Sequence, residues 1–116
     1  MDHFNIPFQV IDWSAIETTE HTGVSGSALW NTLQLPGLRI RRVKYSEGYV
    51  ADHWCQKGHI VHCLEGELIT EHENGEGYTL KKGMTYIVSD DLSSHRSVAT
   101  QNVLLLIIDG DFLKSK

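Results

Sequence analysis

The chain has 116 residues and a formal net charge of -5, so it is long enough for one domain with a single core. Its acidity, with a pI near 5.7, argues against nucleic acid or an anionic membrane as the main partner. No apolar run is long enough to span a bilayer, and residues 1–7 lack the segments of a secretion signal. We therefore expect a cytoplasmic protein in which both cysteines are free thiols, with a Cys55–Cys63 disulfide left open as an alternative.

Short strands separated by turns are predicted along most of the sequence. A helical turn is expected after Trp13, because Ser14 and Glu17 fit a capping box. Within residues 38–45 the apolar alternation changes phase, which predicts a β-bulge near Arg41-Arg42. The segment 64–73 predicts one strand, which ends at the hairpin signal Asn74-Gly75.

Three more strands are predicted in the C-terminal part, over residues 84–89, 98–100 and 103–108. The last of these does not alternate, so we expect both of its faces to be buried. Together with the apolar segment 8–13 it predicts a homodimer. Closely spaced short strands of this kind indicate an all-β barrel or sandwich.

The most informative segment is 52–62, where imidazole and thiol side chains cluster. His53 and Cys55 would share a face if they lie on a strand. A tight turn predicted at residues 56–58, with Gly58 in a positive-φ conformation, would bring His59 beside them. His62 is three residues from His59 and is expected on the opposite face. Imidazole and thiolate side chains hold borderline and soft divalent metals, so the segment predicts a metal site.

The spacing of these residues resembles the two-motif signature of the cupins. The matching positions are His53-x-Cys55-x3-His59-x6-Gly66, followed by Gly83 and His95. More narrowly, residues 52–55 and 57–59 are similar to the small single-domain cupins with a DHCW motif. The resemblance implies a small antiparallel jelly-roll barrel with a metal in its mouth. It also implies one cupin domain over residues 1–116, with a core from about 10 to 109.

The resemblance implies four metal ligands, which are His53, Cys55, His59 and His95. Cys55 stands where most cupins have their second histidine, and His59 where they have a glutamate. The implied set thus has three imidazoles, one thiolate and no carboxylate, which favours zinc, with nickel, iron and copper as alternatives. If all four side chains bind, fewer positions stay open for a substrate.

Five further side chains are candidates for contacts around the metal or in the pocket: Asp52, Arg41, Tyr45, Cys63 and Tyr86. Asp52 is placed to hydrogen-bond a ligating imidazole, or else to serve as a turn carboxylate. Arg41 would bind an anionic substrate if it points inward, whereas a basic run of this kind is more often solvated. Cys63 is expected either near the metal or as a small buried side chain.

Three functions remain open at the level of sequence, and no catalytic residue is assigned. The first is a metal-dependent oxygenase, isomerase or lyase that acts on a small molecule. The second is a non-catalytic module that binds or senses a small ligand. The third is a structural protein with a vestigial site. Pairing of Cys55 with a histidine as a nucleophile is a further alternative, which we rank below metal binding.

Overall fold

The computed structural model describes residues 5–115, which form nine strands and two short 3₁₀ helices. The expectation that a secretion signal is absent rests in part on residues 1–4, which lie outside the described residues. The outer bounds of the predicted single domain fall on residues 1–4 and 116, which also lie outside them. In the described part, no helix is long and apolar enough to cross a membrane. The strands are β1 Thr18–Thr22, β2 Ser27–Leu35, β3 Leu38–Tyr45, β4 His59–Glu65, β5 Glu67–His72, β6 Gly77–Lys81, β7 Thr85–Val88, β8 His95–Val98 and β9 Val103–Gly110.

The strands form two antiparallel sheets, which confirms the predicted all-β jelly-roll class. One sheet has six strands in the order β1-β2-β3-β9-β4-β7, and the other has three in the order β6-β5-β8. Buried side chains from both sheets form one apolar cluster, to which Leu68 and Leu80 contribute from the small sheet and Val43, Val61 and Leu105 from the large one. Burying this apolar area provides the main driving force for folding.

Strand β9 lies at the centre of the large sheet, between β3 and β4. Val103, Leu105, Ile107 and Asp109 are buried on its inner face, while the residues between them are half-buried. The inner face is therefore buried as expected, and burial of the outer face by another subunit stays part of the homodimer prediction.

No bulge interrupts β3, since its register with β2 and β9 runs without a shift from Leu38 to Tyr45. The predicted bulge near Arg41-Arg42 is therefore wrong. Arg39 and Arg41 share the inner face with Val43 and Tyr45, and Arg41 is only 5% exposed. The apolar pattern was misleading because two arginines occupy inward positions, where a buried carboxylate neutralises them.

The local turn signals were partly correct. The helical turn lies at Trp13–Ala15, but its N-cap is Asp12, whose carboxylate accepts a hydrogen bond from the backbone N–H of Ser14. The hairpin turn at Asn74-Gly75 is confirmed, with Gly75 at φ 97°. The predicted strand over 64–73 is divided between β4 and β5, because Gly66 adopts φ 78° and turns the chain.

Strand bounds in two other regions also differ from the prediction. The strand expected at 98–100 is β8, which starts earlier and ends at Val98. The structure forms β1 and β2 within residues 18–35, where no individual strand was predicted. β1 has only polar residues and β2 interrupts its apolar residues irregularly, so neither shows the alternation on which the prediction depended.

An aliphatic row crosses the outer face of the large sheet. Its members lie opposite one another in register on five adjacent strands, and they are Leu33, Ile40, Ile108, Ile60 and Ile87. A continuous apolar row on a solvent face is typical of a protein–protein contact. The homodimer stays a prediction, and this row is the surface on which we place it.

We predict a dimer by light scattering at micromolar concentration, and a monomer after Ile87→Lys. Ile87 is 67% exposed, so the new charge would disrupt a contact between copies with little cost to the fold of one chain. Val24→Lys is the matched control, since Val24 is 70% exposed and lies in the connection between β1 and β2, outside the row. A wild-type monomer would contradict the dimer.

Candidate metal centre

Three of the four predicted ligands lie together inside the sandwich. Cys55, His59 and His95 each offer one ligand atom, and these atoms all lie within 4.8 Å of one another. The Cys55 Sγ atom is 3.7 Å from His59 Nε2. His59 and His95 are buried, at 8% and 4% exposure, and Cys55 is half-buried.

Backbone contacts with the small sheet hold Cys55 in place. The predicted strand through His53 and Cys55 does not form; instead, Cys55 makes an isolated two-residue bridge with His95. The Cys55 N–H donates to the His95 carbonyl at 2.7 Å, and the His95 N–H donates back at 3.0 Å. Because β8 begins at His95 and β4 begins at His59, the side chains meet where these two strands start.

Gly58 has a different role from the predicted one, because it is not among the residues with positive φ. A Cβ atom at this position would lie 2.6 Å from the Val88 carbonyl oxygen and from the Asp90 backbone nitrogen. The Gly58 N–H donates to the Asp90 carboxylate at 2.6 Å. Gly58 is therefore needed for close packing of the chain just before His59.

Each of the two buried imidazoles is held through its Nδ1 atom. His59 Nδ1 lies 3.2 Å from Asp109 Oδ2, and His95 Nδ1 lies 2.7 Å from Ser93 Oγ. This leaves Nε2 of each ring for a ligand. His95 Nε2 is buried and has no hydrogen-bond partner among the described residues. Metal-binding histidines in proteins are usually held in this way by a partner on the other nitrogen, so the residues present fit a metal ion.

Asp109 is the functional residue that the sequence prediction missed. It is 2% exposed and accepts hydrogen bonds from both Arg39 Nε and Nη2 at 3.0 Å, from Arg41 Nη2 at 3.2 Å and from His59. Burial alone would raise the pKa of Asp109, but the hydrogen bonds from His59 and Arg39 and the two positive charges hold it well below its usual value. The available signal was a carboxylate directly after the apolar run of β9, on the same face as the inward arginines.

The same contacts shift the proton equilibria of the metal-facing groups. The neighbouring imidazoles of His59 and then His95 lower the pKa of the Cys55 thiol to about 5, against a smaller opposing effect of burial. Burial tends to lower the pKa of His59, yet the contacts with Asp109 and Cys55 raise it overall. Cys55 is therefore a thiolate at neutral pH, which is the form that binds metals.

His53 is placed differently from the other three. Its side chain is 77% exposed, and its Nδ1 atom lies 2.6 Å from Asp52 Oδ1. The structure therefore does not bring His53 into the group of three, although it lines the cavity around them. Asp52 contacts this exposed histidine, so its role beside a metal-binding imidazole stays a prediction. His53 as a fourth ligand stays a prediction.

Two further candidates from the sequence, Tyr45 and Tyr86, line the cavity beside the metal-facing atoms. Burial raises the pKa of both phenols, so both are neutral donors. The Tyr45 hydroxyl donates to Ser97 Oγ at 3.4 Å. The Tyr86 ring lies edge-on to His95, with centroids 6.1 Å apart.

Cys63 and His62 follow the predicted alternation of β4. Cys63 lies on the inner face with 0% exposure, as part of the apolar core, and its thiol donates to the carbonyl oxygens of Glu65 and Gly66. Both cysteines are free thiols, so the alternative disulfide does not form. His62 lies on the outer face, where its Nδ1 atom is 2.8 Å from Thr85 Oγ1.

The metal-facing atoms open into a cavity of about 220 Å³ between the two sheets. Its walls combine aromatic side chains with cationic ones, among them Trp30, Tyr86 and Arg41. A small apolar cavity with a few convergent polar groups is the usual form of a ligand site.

Comparisons with solved structures give consistent neighbours. A predicted oxalate decarboxylase from Thermotoga maritima superposes with a TM-score of 0.73 at 19% identity, covering 89% of this chain and 100% of that one. Ectoine synthase from P. lautus gives 0.71 at 19% identity, over 89% and 78% of the two chains. A cupin-like protein from Thermotoga maritima gives 0.69 at 16% identity, over 83% and 80%.

The chain has the cupin fold. This confirms the fold that the resemblance implied, while the narrower likeness to DHCW-motif cupins stays a prediction. No protein-family model matches the sequence, and no curated protein matches it. At these identities the likeness extends to the fold alone, so the function must be argued from this chain's own residues.

We predict that Asp109→Asn lowers the free energy of unfolding by about 3–5 kcal/mol, because it leaves the inward arginines without their buried counter-charge. Urea denaturation at neutral pH measures the change. Asp111→Asn is the matched control, since the Asp111 side chain is 47% exposed and its pair with Lys114 lies on the surface. Equal losses in the two variants would show that the buried cluster contributes nothing special.

Proposed function

We propose that this cupin binds one divalent metal ion through Cys55, His59 and His95 and presents it to a small molecule in the cavity. The observation that carries the proposal is the pair of Nε2 atoms. Both imidazoles are tethered through Nδ1, and the buried His95 Nε2 lacks a partner. An orphaned buried nitrogen is costly unless a ligand satisfies it, and a metal ion beside the Cys55 thiolate would do so.

The donor set favours zinc. Two imidazoles and one thiolate suit a borderline-to-soft ion, and no carboxylate belongs to the group of three. Nickel, iron and copper share this preference for nitrogen and sulfur and remain alternatives. A bound zinc ion would supply Lewis-acid chemistry, by polarising an oxygen atom of its ligand or lowering the pKa of a bound water.

The number of protein ligands separates a catalytic centre from a binding module. Three protein ligands leave a tetrahedral ion one position for water or substrate, as in catalytic zinc sites. If His53 moves inward as a fourth ligand, the coordination sphere is filled, and a binding or sensing module follows. A protein that takes up no metal would have a vestigial site.

For the enzyme alternative we propose a metal-dependent oxygenase, isomerase or lyase acting on a small molecule. The chain's own groups would bind and orient the substrate, with neutral phenols from Tyr45 and Tyr86 and a cation from Arg41. Among the described residues, no carboxylate lines the cavity to act as a general base beside the metal, which is why the binding module stays a full alternative. A cytoplasmic location is part of the same proposal.

We predict that His59→Ala weakens zinc binding by more than the 10- to 100-fold typical for the loss of an outer-shell contact, while His62→Ala leaves it unchanged. His62 is the matched control because it lies on the same strand but faces outward. Competitive zinc titration at pH 7 measures both. The reverse ranking would exclude the proposed ligand set.

His53→Ala in the same titration decides the coordination number. An effect as large as that of His59→Ala would make His53 a fourth ligand and favour the binding module. A small effect would favour three protein ligands and an open position.

A second candidate function rests on the order of three side chains. Cys55 Sγ, His59 and Asp109 form a relay of the kind used by cysteine nucleophiles, with 3.7 Å from sulfur to Nε2 and 3.2 Å from Nδ1 to the carboxylate. This arrangement would support covalent chemistry at the thiolate. We rank it second because a second imidazole, that of His95, also faces the sulfur, and a cysteine nucleophile needs only one.

Alkylation of metal-free protein by iodoacetamide tests both candidates. Because the thiolate is the nucleophile, the rate at Cys55 should rise with pH through about 5 and level off near neutrality. Buried Cys63 provides the internal control and should not react. One equivalent of zinc should suppress the reaction at Cys55. If zinc gives no protection, the metal proposal fails and the nucleophile is favoured.

A further inference from the structure

The metal-facing cavity has an excess of positive charge. Its cationic lining residues are Arg39, Arg41, Lys57 and Arg96, and no aspartate or glutamate lines it among the described residues. Arg96 pairs with Glu71 at 2.8 Å, and the buried Asp109, which is not part of the lining, pairs with both Arg39 and Arg41. Within residues 5–115 no ion pair involves Lys57. Two arginines therefore share one carboxylate, and a lysine stands unpaired beside them.

Two buried N–H groups, on side chains that line this cavity, have no acceptor among the described residues. Arg41 is 5% exposed, and its Nε atom lacks a hydrogen-bond partner among the described residues, as does the indole Nε1 atom of Trp30. The guanidinium of Arg41 lies over the Trp30 ring, 4.4 Å from its centroid, so the two donors belong to stacked side chains. A buried donor without an acceptor destabilises the protein, and a bound acceptor removes that penalty.

We propose that this pair of donors binds the carboxylate group of a small organic anion in the cavity of the metal centre. An arginine guanidinium is planar and always charged, and it matches the planar carboxylate better than any other side chain does. Nη2 of Arg41 is already fixed by Asp109 at 3.2 Å, so the side chain is oriented before the ligand arrives. The cavity of about 220 Å³ restricts the ligand to a small molecule.

This inference names the class of substrate for the proposed metal centre. It rests on the proposed function only because that proposal places a metal ion beside the anion. The anion site itself is formed by Arg41 and Trp30, neither of which is a proposed metal ligand. Metal-free protein therefore tests it separately.

The test uses the indole N–H signal of Trp30 in ¹H–¹⁵N NMR spectra, with acetate as the probe and acetamide as its neutral counterpart of the same shape. Trp30→Phe assigns the signal among the three tryptophans. At constant ionic strength, acetate should shift the Trp30 signal downfield in a saturable manner, because its N–H gains an acceptor. Acetamide should cause no saturable shift, and the Trp13 and Trp54 signals should change little.

Variants identify the contribution of each donor. Trp30→Phe keeps an aromatic ring beneath the guanidinium and should weaken acetate binding by roughly 2- to 10-fold, followed through other cavity amides. Arg41→Gln should weaken it by roughly 10- to 100-fold. Arg42→Gln is the matched control on the same strand, because Arg42 faces outward, and it should have no effect. If Arg41→Gln fails to fold, the Trp30 variant and the comparison with acetamide still decide whether the anion site exists.

The outcomes separate this inference from the proposed function when the metal content of each sample is measured. A saturable acetate shift in protein that binds no metal would support the anion site and exclude the metal centre. Metal binding without an acetate-specific shift in either metal-free or zinc-loaded protein would overturn the anion site alone. Equal effects of acetate and acetamide would overturn it as well.

Discussion

The buried carboxylate of Asp109 is the interaction on which the rest of the site depends. It lies near the C-terminal end of β9 and contacts cations from β3 and an imidazole from β4, so it connects the three central strands of the large sheet. Without it, Arg39 and Arg41 could not lie on the inner face, because an unpaired buried charge is strongly unfavourable. One residue therefore permits a cationic cavity wall and at the same time orients a metal-facing histidine.

Two groups of residues with complementary chemistry line the cavity. Cys55, His59 and His95 provide electron-rich donor atoms, where a cation would be held. Arg41 and Trp30 each provide an N–H donor without an acceptor among the described residues, where an anion would be held. A small molecule with a carboxylate and a second oxygen could contact both. This arrangement gives the metal proposal and the anion proposal a common ligand, although each stands on its own atoms.

The fold was largely predictable, because local turn signals and one histidine–cysteine cluster in the sequence indicate it. Asn74-Gly75 and Gly83 mark turns that only a few residue types can form, and the cluster matched the cupin spacing. The wrong bulge and the missed carboxylate have one physical origin. Apolar alternation assigns charged residues to solvent, so it placed a bulge at Arg41 and overlooked Asp109, which pair with each other across strands. Such pairs depend on register, which a single sequence does not contain.

X-ray absorption at the zinc edge of zinc-loaded protein tests the proposed metal centre most directly. We predict a single sulfur neighbour at about 2.3 Å together with imidazole nitrogens at about 2.0–2.1 Å. Replacing Cys55 by serine should remove the sulfur neighbour, while Cys63→Ser should leave the spectrum unchanged. A first shell of nitrogen and oxygen alone in the wild-type protein would contradict the proposed centre.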